Sequence, residues 1–406
     1  MGKIHKLVFF ERGVETLTYF SHELADAFRA WGYQIFFYDI EAKQQGFKHL
    51  CKFLKPGETA AVTFNFIGFS GESFLQEPDG RSVWESRDIP VYVILVDHPL
   101  YYYKQLEENY PNVTVLCIDR QHVSYMKRFY PKIPCYFLPL AGNIVRREGM
   151  DHAENLRVER ETWIPYRERK YDVAFIANYV PLPPVEEHFT SQTPEYINFY
   201  QEILNGLRMR PDTPLDEAME YYVKREIPEA TDRELKAAFY GMLFLDLYNR
   251  TYFRERTVQM LVNHGITVHV FGNAWEKLPV KRPECLICSG KQLDSVGCVE
   301  VVRNAKLALN TMPWFKDGAH DRIFTAMLNG AVALTDPSIY LKERFTDEKD
   351  LRFYELKELT ELPAIAEDAL LYPGRMERLT NEAYERAVTQ DTWECRAREL
   401  AQLMEQ

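Results

Sequence analysis

Short apolar runs of β type alternate along this chain with stretches of helical spacing, and they do so in two separate series. In the first series the runs are 6–10 (KLVFF), 34–40 (QIFFYDI), 60–66 (AAVTFNF), 91–96 (VYVILV), 113–118 (VTVLCI) and 136–140 (YFLPL). Between the first two, Leu17, Phe20, Leu24, Phe28 and Trp31 recur at the steps of one helix face, and Gly32 supplies the stop. Segments 101–110 and 120–130 are further helix candidates. A strand, a helix and a strand in that order imply a crossover and parallel pairing. The pattern predicts an α/β unit with an open, mostly parallel sheet and helices on both faces.

The second series opens with a strand at 171–177 (YDVAFIA), after a strongly charged stretch that reads as a linker with some helix. A polar, helix-rich region follows to about residue 249, open to reading as a lid or as a dimer contact. The rhythm then returns with a helix at 254–263, strands at 267–271 and 285–289, a helix at 294–304 and a strand at 306–310. Next comes 314–336, WFKDGAHDRIFTAMLNGAVALTD: a turn carrying Gly318, an amphipathic helix with Ile323 and Met327 inward, a stop at Gly330 and a buried strand at 331–335. His320 and Arg322 stand at the start of that helix, where free backbone N–H groups and the positive dipole end suit a phosphate. The same residues also fit an ordinary α/β repeat with solvated charges at one end. The expected domains are 1–145, a linker at 146–170, and 171–390 with a helical insertion at about 185–250; a closing helix at 391–406 could pack back on the first domain.

Length and charge narrow the functions. The 406 residues suit two or three domains, and a net charge of -11 without a Lys/Arg run argues against a nucleic-acid partner. No apolar run approaches a membrane span, and the N-terminal segment reads as a strand rather than a signal peptide. Seven scattered cysteines suit a reducing cytoplasm better than a disulfide framework. Cys285 and Cys288 have the spacing of a zinc half-site, but Cys298 is the sole nearby partner, so two strand cysteines and no metal are expected.

Ligands of parallel sheets bind beyond the carboxyl ends of the strands. In the first series that rule selects Glu11-Arg12-Gly13, Gly68–Gly71, Asp97-His98-Pro99 and Asp119-Arg120. A single Gly13 after the first strand does not make the dinucleotide fingerprint, even with Asp39 ending the second strand. The GFSGE at 68–72 lacks the last glycine of a nucleophile elbow. Asp97 beside His98 can supply a general base near neutral pH, or Asp97 can cap the helix that begins near Pro99; Glu11 and Glu15 on the first loop compete for the same role.

Three stretches in order, Val270-Phe271-Gly272-Asn273-Ala274-Trp275, then Leu309-Asn310, then HDRIFTAMLNGAVALTD, resemble the C-terminal domain of CgeB-like glycosyltransferases of the GT-B fold. The segment around Trp393 is similar to that family's closing helix, and VDHP at 96–99 with LPLAGN at 138–143 is similar to its N-terminal partner domain. The resemblance implies two Rossmann-like doubly wound domains facing a cleft. It also implies transfer of a hexose-like sugar from a nucleotide-diphosphate donor without a required metal or other cofactor. Carried onto this chain, Arg322 and His320, with Gly318 and Asp321 beside them, would neutralise the diphosphate. Gly272, Asn273 and Trp275 would approach the base or ribose, and Asn310 and Thr311 would line the pocket floor. The family pattern has an acidic residue after the Phe of this helix, for the ribose hydroxyls. Here Thr325 stands in its place, and the bidentate clamp is lost.

The expectation is therefore a cytoplasmic GT-B glycosyltransferase with Asp97, His98 or Glu11 as base. Its acceptor, whether protein, glycan or small molecule, is left open, as is a homo-oligomer. A nucleotide-sugar epimerase or hydrolase on the same fold and a non-catalytic sugar- or partner-binding protein are the alternatives.

Overall fold

The computed structural model describes residues 3–69, 72–77, 79–108, 110–147 and 149–405. The chain divides into two compact units, Met1–Leu140 with Trp393–Gln406, and Ala141–Thr392. Each is built on a parallel sheet of six strands.

In the first unit the strands are β1 (Lys6–Glu11), β2 (Gln34–Asp39), β3 (Thr59–Phe64), β4 (Val91–Leu95), β5 (Val113–Cys117) and β6 (Cys135–Phe137). They lie in the order β2-β1-β3-β4-β5-β6, all parallel, with Val8 opposite Phe36 and Val93 opposite Val115. Strands covered on both faces can be apolar at every position, and Leu7 through Phe10, Ala60 through Val62 and Val91 through Leu95 are all buried. The helix Glu15–Ala30 turns Leu17, Phe20, Leu24 and Phe28 inward. The helix Trp393–Met404 returns to this unit, where Trp393 packs on Phe20 with ring centroids 5.1 Å apart. The run expected at 60–66 stops at Phe64 because Asn65 and Phe66 take positive φ, 52° and 59°, and turn the chain. The expected helix at 101–110 is a 3-10 turn, Pro99–Tyr102, and a short helix, Tyr103–Glu107. The GFSGE loop falls partly outside the described residues, at 70 and 71.

The second unit contributes β7 (Tyr171–Ile176), β8 (Val268–Phe271), β9 (Leu286–Cys288), β10 (Ala305–Asn310), β11 (Val332–Thr335) and β12 (Arg352–Phe353). Their order is β12-β11-β10-β7-β8-β9, again parallel throughout. Val173, Phe175, Val268, Val270, Leu307, Leu309, Val332 and Leu334 form its core with Phe253, Val258 and Leu261. The stretch expected as linker carries the helix His152–Glu161, started by a capping box from Asp151 and Glu154. Its buried Glu159 accepts from Arg147 at 3.2 Å and Arg303 at 2.6 Å, which ties that helix to the second unit. The helical insertion holds the helices Leu182–Thr190, Pro194–Met209, Leu215–Glu226 and Asp232–Gly241. The helix expected at 254–263 begins ten residues earlier and runs Phe244–Asn263. Among the described residues no helix is long and apolar enough to cross a membrane.

Candidate functional site

Every strand of the second sheet points its carboxyl end to the same edge, and the donor-side residues singled out in the sequence lie on the segments that leave β8 and β10 there. The strand β10 ends in Asn310, whose amide Nδ2 donates to Thr335 Oγ1 at 3.0 Å on the neighbouring β11. Thr311 pairs its hydroxyl with Tyr354 at 2.9 Å, and Tyr354 donates to the carbonyl of Asn310 at 2.7 Å. Asn310 and Thr311 are both buried and form the scaffold beneath the edge. The loop that follows is tethered twice: Met312 N donates to Asp336 Oδ1 at 2.8 Å, and Ser338 Oγ donates to the carbonyl of Gly318 at 2.6 Å. Burial raises the Asp336 carboxyl to about 7, against the Met312 N–H and the nearby Lys316.

That loop delivers the chain into the helix Asp321–Leu328 with His320 at its N-cap position. Three ionisable side chains then follow in a row. His320 Nδ1 lies 2.8 Å from Asp321 Oδ1. Burial, then the Arg322 charge, hold the His320 imidazole below its usual pKa, while Asp321 pulls the other way. The Arg322 guanidinium is likewise lowered by burial, with Asp321 opposing. Its Nη1 is shielded from solvent and has no hydrogen-bond partner among the described residues. A shielded guanidinium donor with no acceptor of its own chain is suited to hydrogen-bond an anion.

More positive charge comes from the helix Phe244–Asn263. Arg250 and Arg254 stand one turn apart and lay their guanidinium carbons over the Trp314 ring, 4.4 Å and 5.1 Å from its centroid. Arg250 also pairs with Asp246 at 2.6 Å. The Arg254 charge is felt by His320, lowering its pKa further, so this pair and the helix start belong to one electrostatic neighbourhood. Sequence reading did not select Arg250 or Arg254. Their four-residue spacing was the available signal, hidden because the helix was taken to begin at 254.

Thr325 lies one turn beyond Asp321 and is only 5% exposed in relative terms, with Oγ1 accepting from the backbone N–H of Asn143 at 3.0 Å. The Asn143 amide also reaches Asp321 Oδ2 at 3.3 Å. The hydroxyl at the position of the family's acid is thus engaged in holding segment 141–144 to the helix, and Asp321 is the carboxylate on that face.

The turn after β8 sits two strands away, across β7. Gly272 has φ 151°, and a Cβ there would lie 2.1 Å from the carbonyl oxygen of Ala177, so only glycine fits. Asn273 is exposed, and its N–H donates to Asn178 Oδ1 at 2.9 Å. Trp275, expected to approach a nucleoside, is instead fully buried, with its indole N–H on the Ala177 carbonyl and its ring stacked on Tyr179 at 5.2 Å. What that turn offers a ligand is Asn273 and backbone.

In the first unit Glu11 ends β1 and lies 3.3 Å from His22 Nε2. Asp97 follows β4, where Asn65 Nδ2 donates to its Oδ2 at 3.5 Å. His98, expected to act beside it, is 5% exposed; its Nδ1 accepts from Leu100 N at 3.1 Å and its ring meets His122 at 4.4 Å and Tyr125 at 4.9 Å. Among the described residues no three His, Cys, Asp or Glu side chains gather as a metal site, and Cys285 and Cys288 are free thiols.

Residues 250–402 match a family described as glycosyl transferase-like, and the match begins at Arg250, over the Trp314 ring. No curated protein matches the sequence. Among solved structures, sucrose-phosphate synthase from Thermosynechococcus elongatus is similar over 99% of this chain and 98% of that one, at 10% identity and a TM-score of 0.53. A glycosyltransferase from Rickettsia africae is similar over 99% and 98%, at 7% identity and a TM-score of 0.53. HepE from Anabaena, solved with UDP and glucose, is similar over 99% of both chains, at 9% identity and a TM-score of 0.50. The two parallel sheets and their helices make the GT-B fold of glycosyltransferases.

Proposed function

We propose that this protein transfers a sugar from a nucleotide-diphosphate donor, bound at the carboxyl edge of the second sheet, to a hydroxyl acceptor. The observation that carries the reading is the unpartnered, shielded Nη1 of Arg322 at the start of the helix Asp321–Leu328, with Arg254 acting on the adjacent His320 and lying, like Arg250, over Trp314. In transfer, the bond between the anomeric carbon and the diphosphate oxygen breaks, and the leaving group takes the electron pair. Guanidinium groups and helix N–H groups placed on that diphosphate stabilise the developing charge, the task a metal ion performs elsewhere. Donor binding that needs no metal follows. His320 would share a proton with the diphosphate, and Asp321, with Asn273 across β7, would meet the ribose or base.

The acceptor hydroxyl loses its proton as it attacks. Of the sequence candidates in the first unit, Asp97 and Glu11 keep carboxylates at strand ends and are proposed as the base. His98 is assigned to bracing the loop that carries Asp97, because its ring is buried and its Nδ1 already accepts from Leu100. The order of Val270–Trp275, Asn310 and the 320–336 stretch supports placing the chain with CgeB-like enzymes within this fold.

The test is a titration with nucleoside diphosphates and nucleotide sugars, followed calorimetrically with and without EDTA. Binding unchanged by EDTA, and weakened at least tenfold in Arg322→Ala with the melting temperature kept, is expected. Absence of binding to any nucleotide would favour a non-catalytic binding protein. Release of diphosphate without an acceptor would favour hydrolysis.

A further inference from the structure

The helical insertion holds a cleft of about 620 Å³ whose lining includes none of the residues proposed for the donor. Its floor is apolar and aromatic: Phe199 and Tyr200 from the helix Pro194–Met209, Val223 from Leu215–Glu226, and Met242 just past Asp232–Gly241. Tyr196 and Ile227 flank it and remain 56% and 58% exposed. The Tyr196 and Tyr200 rings are nearly parallel, 27° apart with centroids at 6.2 Å. The mouth is polar, with Glu195, Glu202 and Glu226 against the single guanidinium of Arg225. Arg225 bonds Glu202 at 2.5 Å and Glu226 at 2.8 Å.

Size, floor and mouth together select a ligand. The volume is that of a small-molecule site, and such sites combine an apolar lining with a few orienting polar groups. Three carboxylates facing one guanidinium repel an anionic head group. They accept hydrogen bonds from hydroxyls, and the guanidinium donates to them. We infer that this cleft binds a neutral glycoside with an apolar aglycone, the aglycone on the aromatic floor and the sugar hydroxyls at the mouth.

The cleft is joined to the donor framework by side chains. Lys316, in the loop before the helix Asp321–Leu328, donates to the carbonyl of Pro211 between the first two of these three insertion helices. Arg208 bonds Tyr248 at 2.5 Å and lies 4.3 Å from the Tyr252 centroid, on the helix that carries Arg250 and Arg254. A glycoside held there would be the acceptor, and that part of the inference rests on the transfer reading; binding itself is measured without turnover.

Gly241 provides the decisive variant. A Cβ at Gly241 would meet no atom within 4 Å, and a leucine in that helical position is favoured over glycine. Gly241→Leu therefore adds an apolar side chain to the cleft lining at a position where a Cβ meets no neighbour. The probe is n-octyl β-D-glucoside below its micelle concentration, followed by saturation-transfer NMR on the full chain, with decanoate as the anionic counterpart. Saturable glucoside binding, weakened at least tenfold in Gly241→Leu and in the exposed Tyr196→Ala, and at least tenfold weaker decanoate binding are expected. Unchanged glucoside binding in Gly241→Leu, or decanoate bound as tightly as the glucoside, would overturn the assignment. The nucleoside-diphosphate panel titrated into the same variants reads the donor site separately: glucoside bound with no nucleotide bound supports the cleft and removes the transfer reading, and a nucleotide bound without glucoside does the reverse.

Discussion

The guanidinium of Arg250 rests 4.4 Å from the centre of the Trp314 ring, and Trp314 meets Arg254 at 5.1 Å as well. A single indole therefore positions two cations from one helix beside the start of another. Cation–π contacts of this kind contribute from about 0.5 kcal/mol when exposed to about 2 kcal/mol when desolvated. Trp314→Ala should weaken nucleoside-diphosphate binding by roughly tenfold, and Trp314→Phe should recover part of it. Calorimetric titration checks this; equal affinities in wild type and Trp314→Ala would leave the arginines without a role in the donor site.

His320 should give donor binding a pH dependence. Burial and the Arg322 charge hold its pKa below the usual value, so it is neutral near pH 7 in the free protein. A diphosphate beside it favours the charged form and raises that pKa, so binding takes up a proton and affinity falls as pH rises. The proton uptake, read by titration in buffers of different ionisation enthalpy, should disappear in His320→Asn. The same uptake in the variant would assign the effect to the ligand's own phosphate.

Thr325 is expected to matter for stability. Thr325→Val removes the acceptor for the buried Asn143 N–H, and an orphaned buried donor costs about 1–3 kcal/mol. Thr325→Ser, which keeps the hydroxyl, should retain most of that. Chemical denaturation of the two variants distinguishes a structural hydroxyl, lost in valine alone, from a position indifferent to both.

Asp336 sets a stability trend with pH. Its folded pKa, about 7, is above the unfolded carboxylate value near 4, so the folded state binds the extra proton between those limits. Stability from this group is present at low pH and declines as pH rises through that window. Asp336→Asn keeps an acceptor for Met312 N and removes the ionisation. Its melting temperature relative to wild type should climb between about pH 4 and pH 7 and then level. A flat difference across that range would refute the raised pKa.

The strands were legible because they are buried on both faces, which leaves unbroken apolar runs such as Val91–Leu95 and Val332–Thr335. The start of the helix Phe244–Asn263 was not, for a related reason. Its first two turns bury Leu245, Asp246, Tyr248, Asn249 and Thr251, and Phe244 stacks on Phe189 at 5.8 Å. With polar Asp246, Asn249 and Thr251 buried and apolar Leu247 46% exposed, the sequence shows no clean amphipathic stripe there, and Arg250 was lost in a region that looked aperiodic.

The sequence by itself determined two parallel α/β units, and it marked the helix after Gly318, with Arg322 at its start, as a candidate for an anion beside the reading of an ordinary α/β repeat. Periodicity and turn chemistry are local properties, and they suffice for that. Only the tertiary structure decided which marked side chains face the site. Trp275 and His98 turn into the core, the Thr325 hydroxyl turns to Asn143, and Arg250 and Arg254 arrive from a helix more than fifty residues earlier. Side-chain direction depends on which neighbours pack against each element, and those neighbours are distant in sequence.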